Sequence, residues 1–147
     1  MWTLISATPS PYARKIRIAL AEKGLPFTLQ TEGNFSTTHP HTRHSPRRPV
    51  PWNTTTQTPK YNPLEKLPVL VLDDDDEKQT AVYESHYIME WLEAKYPEPS
   101  LMPAGLDERL FAKKVEVVAD GVCDALVLAF FEGMREEGLR SEAWMAR

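Results

Sequence analysis

Three short elements follow one another in the first thirty residues with almost no chain between them, and their order constrains the fold more than any other feature. Trp2 to Ser6, "WTLIS", is a β-branched and apolar run halted by "ATPSP", the pattern of a strand that ends in a turn. From Tyr12 to Lys23 the apolar residues Ile16, Ala19 and Leu20 recur at helical spacing, Pro11 suits the first helical position, and Gly24 with Pro26 supplies the stop. "PFTLQ" then reads as a second strand, which makes the start of the chain a βαβ unit.

The pattern continues past a Thr/Pro-rich stretch, "VPWNTTTQTPKYNP", read as a loop with room for one helical turn. "LPVLVL" is a nearly unbroken apolar strand bounded by the acidic run Asp73 to Glu77, which reads as a solvated turn, and "TAVYES" can return as its hairpin partner. Ile88, Trp91 and Leu92 mark a helix from Ser85 to Tyr96 that Pro97 stops. The expected order is therefore βαβ-ββα, an α/β arrangement over residues 1–96. "PEPSLMPAG", residues 97–105, is a Pro-rich linker, and residues 106–147 begin an all-α region. There Leu110, Val117, Val118, Val122, Leu126 and Phe130 form a helical stripe some thirty residues long, with too little chain after Gly138 to cover it.

Composition narrows the function classes. With 41% hydrophobic residues, 26% charged residues and a net charge of −4, the chain has the make-up of a soluble globular protein and no electrostatic case for nucleic acid or an anionic membrane. Its single cysteine, Cys123, permits neither an intrachain disulfide nor a Cys-rich zinc site, and its position on the apolar side of the long helix reads as packing. No run approaches the roughly 20 apolar residues of a membrane span, and the N-terminus has no signal-peptide pattern. The expected location is the cytoplasm.

The βαββα order, the turn "SPY" before the first helix, "YNPLEKLPVLVL" and "YESHYIMEWL" together resemble the cytosolic glutathione transferase family. The resemblance implies a thioredoxin-like N-terminal domain followed by the start of an all-helical C-terminal domain. The segment from Ala119 onward looks most like the bacterial-type and fungal members with serine at the active position. It further implies glutathione as co-substrate, a small hydrophobic electrophile as second substrate, conjugation or isomerisation as chemistry, a homodimer, and no metal. Family members continue for several helices beyond the position of Arg147. Two other classes stay open: a non-catalytic binding or assembly module on the same fold, and an inactive truncated product.

Elementary chemistry supports a site at the same positions. Ser10 stands where a strand becomes a helix, beside free backbone N–H groups that favour an anion, and a hydroxyl donating to sulfur there stabilises a thiolate. The plain alternative is a simple N-cap followed by proline at N1, and Thr8 is the nearby substitute. No cysteine occupies this turn, which disfavours thiol–disulfide exchange. By resemblance, the bond between Leu67 and Pro68 is cis and the Leu67 backbone pairs with the cysteinyl unit of glutathione, the alternative being a trans proline that merely starts a strand. Ser85 is a good N-cap for the second helix. The resemblance gives Glu84 the γ-glutamyl ammonium, gives Ser85 and the helix start its carboxylate, and lets Lys66 reach the glycine carboxylate; a helix cap and a surface lysine are the alternatives. His86, Trp91 and Tyr96 read as structural.

Gly33 to Pro49 has no equivalent in the family pattern, and removing it restores the family spacing between the second strand and the proline turn. Codons for its first and last residues can encode intron borders, so the segment reads as a translated intron or an error in the inferred gene, with a Pro-rich disordered insertion as the alternative. His39, His41 and His44 match no recognised metal spacing, and Arg43, Arg47 and Arg48 make a weak basic grip in an acidic chain.

Overall fold

A computed structural model describes residues 1–32, 56–73 and 80–146. The insertion at 33–49, with its histidines and arginines, and nearly all of the acidic run lie outside the described residues. The chain divides into two compact units, Met1–Leu101 and residues 102–147, and the division falls inside the Pro-rich stretch.

The first unit follows the expected order. Strand β1 (Trp2–Ser6) leads into helix α1 (Pro11–Glu22) and strand β2 (Phe27–Thr31); a single helical turn, α2 (Thr58–Tyr61), precedes β3 (Val69–Val71), β4 (Ala81–Tyr83) and helix α3 (Ser85–Lys95). The sheet order is β2-β1-β3-β4, with β1 parallel to β2 and antiparallel to β3, and β3 antiparallel to β4. Helix α1 stops where the sequence says it should: Gly24 takes a left-handed φ of 65°, which a residue without a Cβ adopts cheaply.

Each face of the sheet has its own apolar cluster. Leu4, Leu70, Leu72 and Val82 meet Ile16, Ala19 and Leu20 of α1 and Ile88 and Leu92 of α3, bordered by Trp2, Trp91 and Tyr96, whose rings pack edge-on or tilted at 5.3–5.8 Å between centroids. Ile5, Val69 and Val71 point the other way, toward Tyr61, Leu67, Ala81 and Tyr83. The period-2 alternation of a strand sends neighbouring residues such as Leu4 and Ile5 to opposite faces.

The second unit is built on one long helix, α4 (Leu106–Gly133), followed by a 3-10 turn (Glu137–Leu139) and the short helix α5 (Glu142–Met145). No residue of α4 is buried, and its stripe of Leu110, Val118, Val122 and Leu126 is more than half exposed throughout. Cys123, expected to be buried packing, is only half-buried.

Candidate functional site

The strand register brings the expected site residues to one edge of the sheet. Ile5, Val69 and Tyr83 lie side by side across β1, β3 and β4. Ser10 follows Ile5 by one tight turn, Pro68 immediately precedes Val69, and Glu84 immediately follows Tyr83. Because β1 and β4 are both antiparallel to β3, they run the same way, so the helices that follow them both begin at this edge. Two helix N-termini and a proline turn thus border one place, and both helices direct the positive ends of their dipoles toward it.

Ser10 is the N-cap of α1. Its Oγ accepts a hydrogen bond of 3.2 Å from the Ala13 N–H, and Pro11 occupies N1, where a missing N–H costs nothing. The capping role and the chemical role are compatible, since a hydroxyl that accepts from a backbone amide still carries its own proton to donate. Ser10 is half-buried, and its own N–H is tied to the Ala7 carbonyl at 3.0 Å, which holds the turn.

The bond between Leu67 and Pro68 is cis, as the resemblance implies. Pro68 is buried, Leu67 half-buried and Lys66 exposed, so the turn is anchored from the strand side and open on the other.

At α3 the structure corrects one detail. The N-cap is Glu84, not Ser85, and its carboxylate accepts from the Ser85 and His86 N–H groups at 3.0 and 3.2 Å. Its backbone takes a φ of 73°, which is uncommon for a side chain of this kind and turns the chain sharply from β4 into the helix. Ser85 is then the first helical residue and is buried.

Two residues that support this edge carry no obvious chemical signal. Asn62 is buried; its Oδ1 accepts from the Leu64 N–H at 2.9 Å and its Nδ2 donates to the Lys66 carbonyl at 2.8 Å, which shapes the loop leading to the proline turn. Glu65 within that loop has a φ of 54°. Glu32, also buried, accepts from the Thr58 N–H at 3.2 Å and from the Gln57 N–H and the Thr58 hydroxyl, so the end of β2 caps α2. The Asn-Pro dipeptide hints at the first role. Only the fold reveals the second, because its partners lie 25 and 26 residues away.

The comparisons with known proteins agree with this architecture. The family model described as the N-terminal domain of glutathione S-transferase matches residues 9–95. The chain belongs to the glutathione S-transferase family. A glutathione S-transferase from Methylobacterium radiotolerans, solved in complex with glutathione sulfonate, is 53% identical and superposes with a TM-score of 0.81 over 99% of this chain and 59% of its own. A second, from Methylobacillus flagellatus with glutathione bound, is 30% identical with a TM-score of 0.77, over 99% of this chain and 62% of its own. Among curated proteins, an uncharacterised GST-like protein of Escherichia coli, YibF, is 29% identical over 98% of this chain and 61% of its own length. A stringent starvation protein A homolog of Coxiella burnetii is 30% identical over 69% of this chain and 38% of its own length. The chain therefore spans less than two thirds of the length of each of these relatives. No described helix is long and apolar enough to cross a membrane.

Proposed function

We propose that the protein binds glutathione at the edge where α1 and α3 begin, stabilises its thiolate, and transfers it to a small hydrophobic electrophile. The observation that carries this reading is the register of Ile5, Val69 and Tyr83, which gathers Ser10, the proline turn and the start of α3 at one place. The glutathione ligands of the two solved relatives support it.

The roles are those that the family resemblance implies, laid on the positions just described. Ser10 keeps its backbone bond from Ala13 and donates its hydroxyl proton to the glutathione sulfur, which favours the charged form of the thiol and lowers its pKa. The Leu67 backbone, just before β3, pairs with the cysteinyl unit in the manner of an added strand. Glu84 turns from the α3 amides to the γ-glutamyl ammonium, and the Ser85 end of the helix receives the carboxylate in its place. Lys66, exposed beside the turn, meets the glycine carboxylate. The thiolate then attacks an electrophilic carbon: a sulfur–carbon bond forms, and the electron pair leaves with the displaced group or takes up a proton if the reaction is an addition or isomerisation. A cytoplasmic homodimer is part of the same proposal, as is the division into a glutathione-binding domain at 1–96, a linker and a helical domain from 106.

A second reading is a binding or assembly module on the same fold, since a fold does not by itself fix an activity. One experiment separates the two. Glutathione is titrated into the wild-type protein while the thiolate absorbance is followed against pH, and the titration is repeated with Ser10→Ala. The expected result is a bound thiol that ionises at least about one unit below free glutathione, with most of that shift lost in the variant. An unchanged titration removes the catalytic role of Ser10, and no binding at all favours the module.

A further inference from the structure

The opposite ends of α1 and α3 carry a polar knot that the glutathione chemistry does not use. Lys23, the C-cap of α1, is completely buried at its side chain, and its ammonium donates to Glu93 Oε1 at 2.7 Å, to the Tyr96 carbonyl at 2.7 Å and to the Pro99 carbonyl at 2.9 Å. All three ammonium protons are thereby used. Glu93, near the end of α3, also accepts from the Leu101 N–H at 3.0 Å and the Ser100 hydroxyl at 3.1 Å. Tyr96 is the C-cap of α3, so one cation sits at the negative ends of both helix dipoles.

We infer that Lys23 is a positioning residue for the glutathione site: the Lys23–Glu93 knot sets the axial register of α1 against α3, and with it the placement of Ser10 relative to Glu84 and Ser85. This deepens the proposed function and rests on that reading. The two helices run side by side in the same direction from the site edge, and they touch through Ile16, Ala19, Leu20, Ile88 and Leu92. Apolar contacts of this kind are non-directional and tolerate a slide of one helix along the other. Hydrogen bonds at 2.7–2.9 Å from a single ammonium do not tolerate it. A buried ion pair adds little net stability over an apolar pair of the same volume, and specificity of arrangement is what it supplies here. Each helix is a rigid rod of three turns, so register fixed at its end is carried to its start.

The test compares Lys23→Met and Glu93→Gln with Val71→Ala, a core variant on the opposite face of the sheet, all at a temperature where each is fully folded. Two readouts are taken: the amide resonances and hydrogen exchange of Ala13, Ser85 and His86 without ligand, and the glutathione Kd. The expected result is displaced, faster-exchanging amides at both helix starts and a Kd raised about tenfold in the Lys23 variant, with neither change in Val71→Ala. Glu93→Gln, which keeps a neutral acceptor, should show the same effects more weakly and decides the matter if Lys23→Met does not fold. Unmoved amides in the knot variants, or equal changes in Val71→Ala, overturn the inference. If the wild type binds no glutathione, displaced amides still support the register role while the functional reading fails, and undisplaced amides overturn both.

Discussion

The second unit is the richer of the two in apolar residues, yet the first buries its large apolar side chains and the second leaves most of its own exposed. Every buried hydrophobic residue among the described residues, from Leu4 to Leu92, belongs to the first unit. In the second, α4 carries Leu106, Leu110, Phe111, Val117, Val118, Val122 and Leu126, each more than half exposed. A sheet gives a helix a broad apolar partner, and α1 and α3 have one; a lone helix cannot bury its own stripe however well the stripe is spaced. The difference shows that periodicity specifies which face of an element wants cover and says nothing of whether cover is present.

The sharpest way to break this comparison is a matched pair of truncations. Leu70→Ala, at a fully buried position in the central sheet, should cost about 3 kcal/mol in urea unfolding, whereas Leu126→Ala on the stripe of α4 should change stability by less than about 0.5 kcal/mol. An equal cost at both positions would mean that the stripe is covered in solution.

Acid sharpens it further. Burial by itself would raise the Glu93 carboxyl, but hydrogen bonds from Lys23, the Leu101 N–H and Ser100, with the Lys23 charge, outweigh burial and hold it below its usual 4.5. A carboxyl depressed in the folded state contributes stability that is present above the unfolded value and is lost as pH falls through the folded one. The first unit should therefore lose stability through this group as pH falls below about 4.5, and Glu93→Gln should flatten that part of the profile. Glu132, in the second unit, is also held low, by the Ser141 N–H and then Arg135, with burial opposing. It borders no buried cluster, and Glu132→Gln should leave the acid transition of the first unit where it is.

The smallest effect is expected from removing residues 33–49. The ends of the surrounding stretch are fastened by Glu32 to Gln57 and Thr58, and the closure entropy of a loop changes slowly with its length, so the shortened chain should match the parent within about 1 kcal/mol by thermal unfolding. A larger loss would show that the insertion contributes to the first unit.

Much of the first unit was legible in the sequence because its elements are short, strongly patterned and punctuated. Pro11 and Gly24 bracket α1, Pro97 follows α3, and the apolar run at 69–72 is unbroken. The start of α3 was harder to read. Ser85 has the better capping chemistry, yet Glu84 takes the cap, because the sharp turn out of β4 brings its longer side chain back over the helix amides. The supporting contacts of Glu32 and Lys23 were not legible, since each depends on partners distant in sequence, while the Asn-Pro dipeptide only hinted at the loop that Asn62 shapes.

The sequence by itself determined the order of elements, the apolar faces and the residue types at the strand-to-helix turns, all of which depend on neighbours within a few positions. Only the tertiary structure decided that Ser10, Pro68 and Glu84 flank one row of the sheet, and that a single buried ammonium joins the far ends of the two helices that carry them. The pairing of β1 with β3 and the burial of the Lys23 charge are set by contacts across 60 or more residues, where packing and hydrogen-bond satisfaction, not local propensity, select the answer.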